Sequence, residues 1–502
     1  MKRILTGFAA FALAVMVFAQ GTLSVSAMER SYTYNYDYWG DVQDSPDFYT
    51  LKEVYTSTEL GLDKVLKSPQ GLFAKDNLLF ICDTGNNRII EMERLENGAL
   101  KIKRYIEEIK GDVEIKTLAG PTDVALSEEG NLFIADKGNA RILKVDNDLN
   151  LIRVFGLPND STIDASLTFQ PNKLAVDTAE RVYCIATGIN KGLLKYEEDG
   201  TFSGFVGATQ VSYNFTDYLW KKFATQEQRE KMISFVPTEY ENIYMDYEGF
   251  IYACIGSVKE EDLKADTVDA VRKLNLMGND ILVRNGDYPV YGDLYMGTGG
   301  GISGPSRFTD VSAMDNDVYV CLDKNRGRIF GYNDQGELVF AFGGIGNMNG
   351  YFRMPTAIEH IGRELYVLDS LDNSLSVFVT TEFGDLVYDA MEKFDVGEYD
   401  ESEAAWRKAK DLNGNYNLAY IGIGRALLRQ EQYKEAMEYF ELKYDAENYS
   451  KAFKQYRKEW VEENIVLLVV VILAIFLIPL GIGKVKSIKR EIDNADIFKE
   501  IK

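Results

Sequence analysis

The 502-residue chain is 46% hydrophobic and 26% charged, with a net charge of −23 and a single histidine, His360. So acidic a chain repels nucleic acid and anionic lipid headgroups, and one imidazole excludes a metal site built from two or three histidines. The length suffices for more than one domain with a sizeable core.

The N-terminus begins Met1-Lys2-Arg3, runs apolar from Ile4 to Ala19 and reaches Val25-Ser26-Ala27. A basic start, an apolar middle and a small-residue cleavage site predict a secretory signal peptide over residues 1–27; the competing reading is an uncleaved anchor. Tyr32, Tyr34, Tyr36 and Tyr38 then alternate with polar residues, a period of two that predicts an extended strand. YTLKEVY at 49–55 predicts a second. One of the two is expected to supply the outer strand of the last sheet in the array that follows. The alternative for the tyrosines is an aromatic ladder that binds sugar.

Residues 121–156 parse as four short β-type runs, cut by Glu129-Gly130, Asp136–Ala140 and Asn147–Asn150. The pattern recurs from Pro69, Pro121, Pro171, Tyr240, Phe308 and Pro355, at spacings of 52, 50, 69, 68 and 47 residues. No four-stranded unit of this kind buries both faces alone, which predicts radial stacking into a six-bladed β-propeller. The two long spacings hold inserts: 214–235, of helical composition, and 257–304, which includes GTGGGISG. Gly299–Gly304 satisfy Gly-x-Gly-x-x-Gly but lack the preceding strand and following helix that a dinucleotide site requires. Cys82, Cys184, Cys254 and Cys321 fall one per repeat in apolar runs, and read as small buried side chains rather than disulfides.

Two of the turns are nearly identical: Asp83–Arg88 reads DTGNNR and Asp136–Arg141 reads DKGNAR. Asp323, Arg326 and Arg328 repeat part of the pattern, Asp369–Asn373 less of it, and the third and fourth units have largely lost it. With the proline-led first strand, this Asp-x-Gly-Asn-x-Arg corner resembles NHL repeats over roughly residues 50–385. The resemblance implies a structural role for Asp83, Arg88, Asp136, Arg141, Asp323, Arg328 and Asp369. Gly and Asn are expected at the positive-φ turn positions, with the Asp accepting from the turn and the Arg pairing with it or with a neighbouring blade.

A propeller binds ligands at the mouth of its central channel, near the start of each innermost strand. The residues after the six repeat starts are Gln70, Thr122, Asn172, Glu241, Thr309 and Thr356, and the next positions include Asp123, Lys173 and Asp310. All nine are polar, which predicts a small-molecule or ion site at the mouth; the competing reading is that they cap strand ends facing water. Six-bladed relatives include lactonases that hold a calcium ion with Glu, Asn and Asp at this mouth, so the resemblance admits Glu241, Asn172 and Asp310 as oxygen ligands of calcium. Lyases of the NHL type that use histidine-bound metal do not match a chain with one histidine. No nucleophile elbow or Cys–His pair is apparent, and no catalytic residue, resident metal or cofactor is assigned.

From residue 386 the hydrophobic period becomes helical. Tyr399 aligns with Tyr433, Trp406 with Phe440 and Ala390 with Gly424, each 34 residues apart, the period of a tetratricopeptide repeat. The segment 386–464 is therefore read as a TPR-like helical stalk, with a plain helical hairpin as the alternative. Residues 465–483 carry no charge over nineteen positions, about 28 Å of helix and close to the hydrocarbon thickness of a membrane. Pro479 falls near the end of that run, and Lys484, Lys486, Lys489 and Arg490 follow, which places the 484–502 tail in the cytoplasm.

The expected organisation is a signal peptide (1–27), a six-bladed NHL-like propeller (28–385), the helical stalk (386–464), one transmembrane helix (465–483) and a cytoplasmic tail (484–502). This describes a single-pass protein of a bacterial envelope with an extracytoplasmic propeller. Its expected role is recognition of a partner protein, glycan or small ligand, as an accessory to a membrane transport complex in one version. The alternative is a calcium-dependent lactonase or esterase.

Overall fold

The computed structural model describes residues 32–160, 163, 166–207, 240–256, 258–265, 268–297 and 302–500. The signal segment 1–27, the insert 214–235 and Gly299–Gly301 lie outside them. The chain divides into two compact units, Met1–Tyr388 with Leu412–Tyr416, and Asp389–Asp411 with Asn417–Lys502.

The first unit is mainly β and forms a six-bladed propeller. The inner strands are Gly71–Lys75, Pro121–Leu126, Pro171–Val176, Tyr240–Met245, Phe308–Ala313 and Pro355–Ile361. Each neighbours the next, and the sixth returns to the first, so they form a closed ring. Blades 1, 2 and 3 are antiparallel four-stranded meanders, and blade 4 has three strands. Blade 6 takes its outermost strand from the N-terminal side of the array: Tyr49–Tyr55 pairs antiparallel with Ser374–Thr380. The tyrosine-rich strand Thr33–Tyr36 joins blade 5 instead, pairing with its outer strand at Thr33↔Phe342 and Tyr34↔Ala341. Tyr34 and Tyr36 are buried, and both hydroxyls donate to Asp293, at 3.0 and 2.5 Å. They anchor the chain start and do not form an exposed ladder.

Apolar faces meet between blades. Phe80 and Ile89 of blade 1 pack with Val124 and Ile134 of blade 2. Phe133 and Phe155 then pack with Val182 and Tyr196 of blade 3. Between blades 5 and 6 the filling is aromatic: Phe48 stacks on Phe340 at 4.4 Å, and Tyr49 on Phe342 at 5.4 Å. All four cysteines are buried with free thiols, one in each of four blades. They occupy second-strand positions where a small side chain fills the interface between sheets.

The recurring corners clamp the chain just before each inner strand. Asp83 accepts the Lys67 N–H at 2.8 Å, Asp136 that of Ala119 at 2.8 Å, Asp323 that of Arg307 at 3.0 Å and Asp369 that of Arg353 at 2.7 Å. In blades 1 and 2 the second carboxylate oxygen takes Asn86 and Arg88, both at 2.8 Å, or Asn139 at 2.8 Å and Arg141 at 2.7 Å. In blade 5, Arg328 donates to the Gly343 carbonyl at 2.8 Å and lies over the Tyr34 ring.

At Gly85 and Gly138 the corner glycine has a different job from the expected one, whereas Asn87 and, in blade 5, Gly327 hold positive φ as expected. Positive φ falls one residue before the arginine, at Asn87 (57°) and Ala140 (54°). Gly138 lies instead against backbone: its N–H reaches the Ala119 carbonyl at 2.8 Å, and a Cβ would stand 2.6 Å from that oxygen. Close approach, not left-handed geometry, selects glycine there.

The second unit is helical. Trp406 of Tyr399–Leu412 lies against Gly422 of Asn417–Arg429, and Phe440 of Tyr433–Leu442 against Gly424, with no room for a side chain at either glycine. Arg407 joins Glu403 at 2.6 Å to Glu435 at 2.9 Å. The last helix, Ala446–Glu500, has 55 residues and contains a window of mean hydropathy 3.4, none of it buried. It is long and apolar enough to cross a membrane. It runs through Pro479, as expected, and continues past position 483. A proline ring removes one backbone donor, and a long helix absorbs that loss without stopping.

Because Gly138 is pressed against a carbonyl, Gly138→Ala should cost about 1–3 kcal/mol, whereas Ala140→Asn, the residue blade 1 uses at positive φ, should cost nothing. Urea unfolding of the full chain in detergent checks both; unchanged stability in Gly138→Ala would refute the close-approach account.

Candidate functional site

Inner strands present an unpaired edge to the channel, and their free N–H groups need acceptors. The pairing of inner and second strands is irregular at the same place in five blades, between Pro121 and Asp123, Pro171 and Lys173, Tyr240 and Asn242, Phe308 and Asp310, and Pro355 and Ala357. A bulge at the second and third positions turns the third side chain away from its regular direction. Gly71 holds this place in blade 1, where a Cβ would meet the Thr122 carbonyl.

The third-position side chains make the site. Asp123 accepts the Leu174 N–H of the next blade at 2.9 Å, and Asp310 accepts the Ile358 N–H of the next blade at 2.7 Å. Asp310 also takes its own Val311 N–H at 2.8 Å and the Asn242 side-chain amide. Lys173 sits 3.9 Å from Asp123. All four are buried, between 3% and 7% exposed. Two positions further along the strands, Ser312 lies 3.1 Å from Glu359, with only 5% of Glu359 exposed, and 2.7 Å from His360 Nδ1.

Burial decides the electrostatics of this ring. It pushes the Asp310 carboxyl up to about 7, against the pull of Lys173 and of the N–H groups it accepts. Burial likewise raises Asp123 and lifts Glu359 well above the ordinary range, with Asp310 adding to the latter. For Lys173 burial acts downward, but Asp123, Asp310 and Glu359 outweigh it and hold the ammonium above its usual value. Burial lowers His360 to about 4, so it is neutral at pH 7. One cation therefore faces three carboxyl groups in a low-dielectric lumen.

The second-position residues behave differently. Thr122 donates to the Pro171 carbonyl at 3.2 Å and Thr356 to the Pro69 carbonyl at 3.4 Å, tying neighbouring inner strands, the latter across the closure from blade 6 to blade 1. Asn172 accepts from Lys137 at 3.0 Å, and Glu241 pairs with Arg307 at 3.1 Å. Gln70 is exposed, and Thr309 is buried. Glu241, Asn172 and Asp310 are thus each held by a different partner. Among the described residues, no group of three or more His, Cys, Asp or Glu side chains is placed to hold a metal ion.

The structure therefore brings together Asp123, Lys173 and Asp310 and joins to them Asn242 and Glu359, which sequence alignment had not singled out. The helical unit has its own concavity, about 690 Å³, lined by Tyr420, Tyr433, Tyr439, Tyr456 and several glutamates.

No protein-family model matches this sequence, and no curated protein matches it. Several solved structures align with part of this chain. A virginiamycin B lyase from Staphylococcus aureus is 10% identical, with 66% of this chain and 100% of that chain covered and a TM-score of 0.38. A streptogramin B lyase gives 10% identity, 66% and 98% coverage and a TM-score of 0.38. A protein of unknown function from Bacteroides thetaiotaomicron gives 8% identity, 66% and 76% coverage and a TM-score of 0.41. Likenesses of this size say nothing of the site.

Asp310 supplies a test by pH. With its carboxyl near 7 when folded and in the ordinary range near 4 when unfolded, the native state holds the extra proton between those values. Its contribution to stability is complete below pH 4 and is lost as pH rises to 7, by up to about 1.4 kcal/mol per pH unit. Urea midpoints at pH 4.5, 6 and 7.5 should show Asp310→Asn losing about one proton's share of this fall; an unchanged slope would place the titration elsewhere.

Proposed function

We propose that this chain is a membrane-anchored recognition protein. Its propeller is extracytoplasmic and binds a partner protein, glycan or small ligand at the channel mouth. The observation that carries the reading is the buried ring of Asp123, Lys173, Asn242, Asp310 and Glu359, contributed by five blades. Taking charges out of water costs several kcal/mol each. Buried groups kept in a state so far from their ordinary titration are the mark of a binding site.

The rest of the chain is read to match. Residues 1–27 direct secretion, the NHL-type repeats form the platform, and the TPR-type helices link it to the apolar span. The basic residues after position 483 keep the tail inside. The helical groove, rich in tyrosine and glutamate, gives the second unit a contact surface of its own, which suits an accessory to a membrane transport complex.

Cross-linking in intact membranes followed by purification of the full chain tests this. A reproducible set of partners should be captured by the wild type and diminished by Asp123→Ala with Lys173→Ala, the variant protein still reaching the membrane. Capture of no reproducible partner, or of the same set by the variant, would contradict a recognition role for the channel.

A further inference from the structure

We propose that the ring in the channel binds a small zwitterion, its carboxylate on Lys173 and its ammonium on Asp310 and Glu359. The inference rests on the channel being a binding site and adds the chemistry of the ligand.

Two unmet demands lie side by side in one lumen. The first is Lys173. The residue is 7% exposed, and its ammonium makes no hydrogen bond among the described residues; its nearest anion, Asp123, stands at 3.9 Å. An ammonium with three donors and no protein acceptor within hydrogen-bond distance among the described residues can take a bound oxygen anion. The second is the pair Asp310 and Glu359. Lys173 is the ring's only cation and is nearest Asp123, so no side-chain cation is within ion-pairing distance of either carboxyl among the described residues. Burial first, and then Asp310 beside Glu359 and Asp123 beside Asp310, raise the affinity of these two carboxyls for protons, and a ligand ammonium would take the place of those protons.

A purely anionic ligand would satisfy Lys173 and repel three carboxyl groups. A purely cationic one would satisfy the carboxyl pair and repel Lys173. A molecule with both ends meets both demands. Ser312 supports this orientation by holding one Glu359 oxygen at 3.1 Å. Asn242 and the N–H groups of Val311 and Ile358 do the same for Asp310.

Binding of the ammonium requires Asp310 to release its proton. The charged and titratable groups facing Asp310 are Lys173, Asp123 and Glu359, with the buried thiols of Cys254 and Cys321 behind it. Asp310 changes charge near neutrality, so affinity should rise about tenfold from pH 6 to pH 8.

The experiment is titration calorimetry of the full chain in detergent. The probes are glycine, β-alanine and γ-aminobutyrate, which span the unknown distance between the two poles, with ethylamine and acetate as half-ligands. One of the amino acids should bind at least ten times tighter than either half-ligand, and about ten times tighter at pH 8 than at pH 6. Lys173→Met should abolish its advantage over ethylamine, and Asp310→Asn its advantage over acetate. Binding of none of the three, equal binding of whole and half ligands, or unchanged binding in both variants would overturn the proposal. The comparison of probes and of pH uses the wild type alone, so it stands if a variant fails to fold. A negative result alongside partner capture in membranes would remove the zwitterion and leave the recognition reading intact.

Discussion

Everything in the first unit depends on a pairing between strands far apart in the chain. Tyr49–Tyr55 precedes the first blade, Ser374–Thr380 belongs to the last, and their antiparallel register closes the sheet of blade 6. Without it, blade 6 would end on an exposed edge and the ring of inner strands would have no lock. The seam is reinforced by aromatic filling. Phe48, next to the closing strand, stacks on Phe340 of blade 5, and Tyr49 hydrogen-bonds Tyr388 at 2.9 Å. Thr33–Tyr36 strengthens the same side by adding to blade 5. The stretch Thr33–Tyr55, before the first blade, thus serves two sheets.

Closure has a chemical consequence. It forces six strand edges together around one axis, and each edge carries N–H groups that no neighbouring strand can take. The chain answers with carboxylates: Asp123 and Asp310 each cap an N–H of the following blade. Once carboxylates line a narrow lumen, their repulsion and desolvation have to be offset, and one lysine offsets only part. The site's electrostatics therefore follow from the architecture, and the excess acidity is what a ligand can use.

Much of this was legible from residue order because the repeats punctuate it. Six starts and the doubled Asp-x-Gly-Asn-x-Arg corner indicated six blades, and the apolar runs around the four cysteines indicated that these side chains would be buried. Aligning the starts also placed Asp123, Lys173 and Asp310 in one column. Other features left no such trace. A bulge is a matter of pairing, not composition, so nothing indicated that the third position would face the lumen while Thr122 and Thr356 would tie strands together. Glu359 and Ser312 share a column with Phe73, Ala125, Ala175 and Tyr244, too mixed to stand out. The corner glycine was misread because positive φ is glycine's commonest use, and a clash with the Ala119 carbonyl is visible only in three dimensions.

The most direct test of ring closure is a cross-link across it. Thr50 and Val379 lie opposite each other in the closing pair, on its less buried side. Directly paired positions of antiparallel strands fall within disulfide reach, and the four native thiols are buried away from oxidant. Thr50→Cys with Val379→Cys should form an intramolecular disulfide on mild oxidation of the folded chain and raise its stability by on the order of 3–5 kcal/mol. Two thiols that stay free in folded protein, or that bridge only between molecules, would show that these strands do not meet and that the ring is not closed in this way.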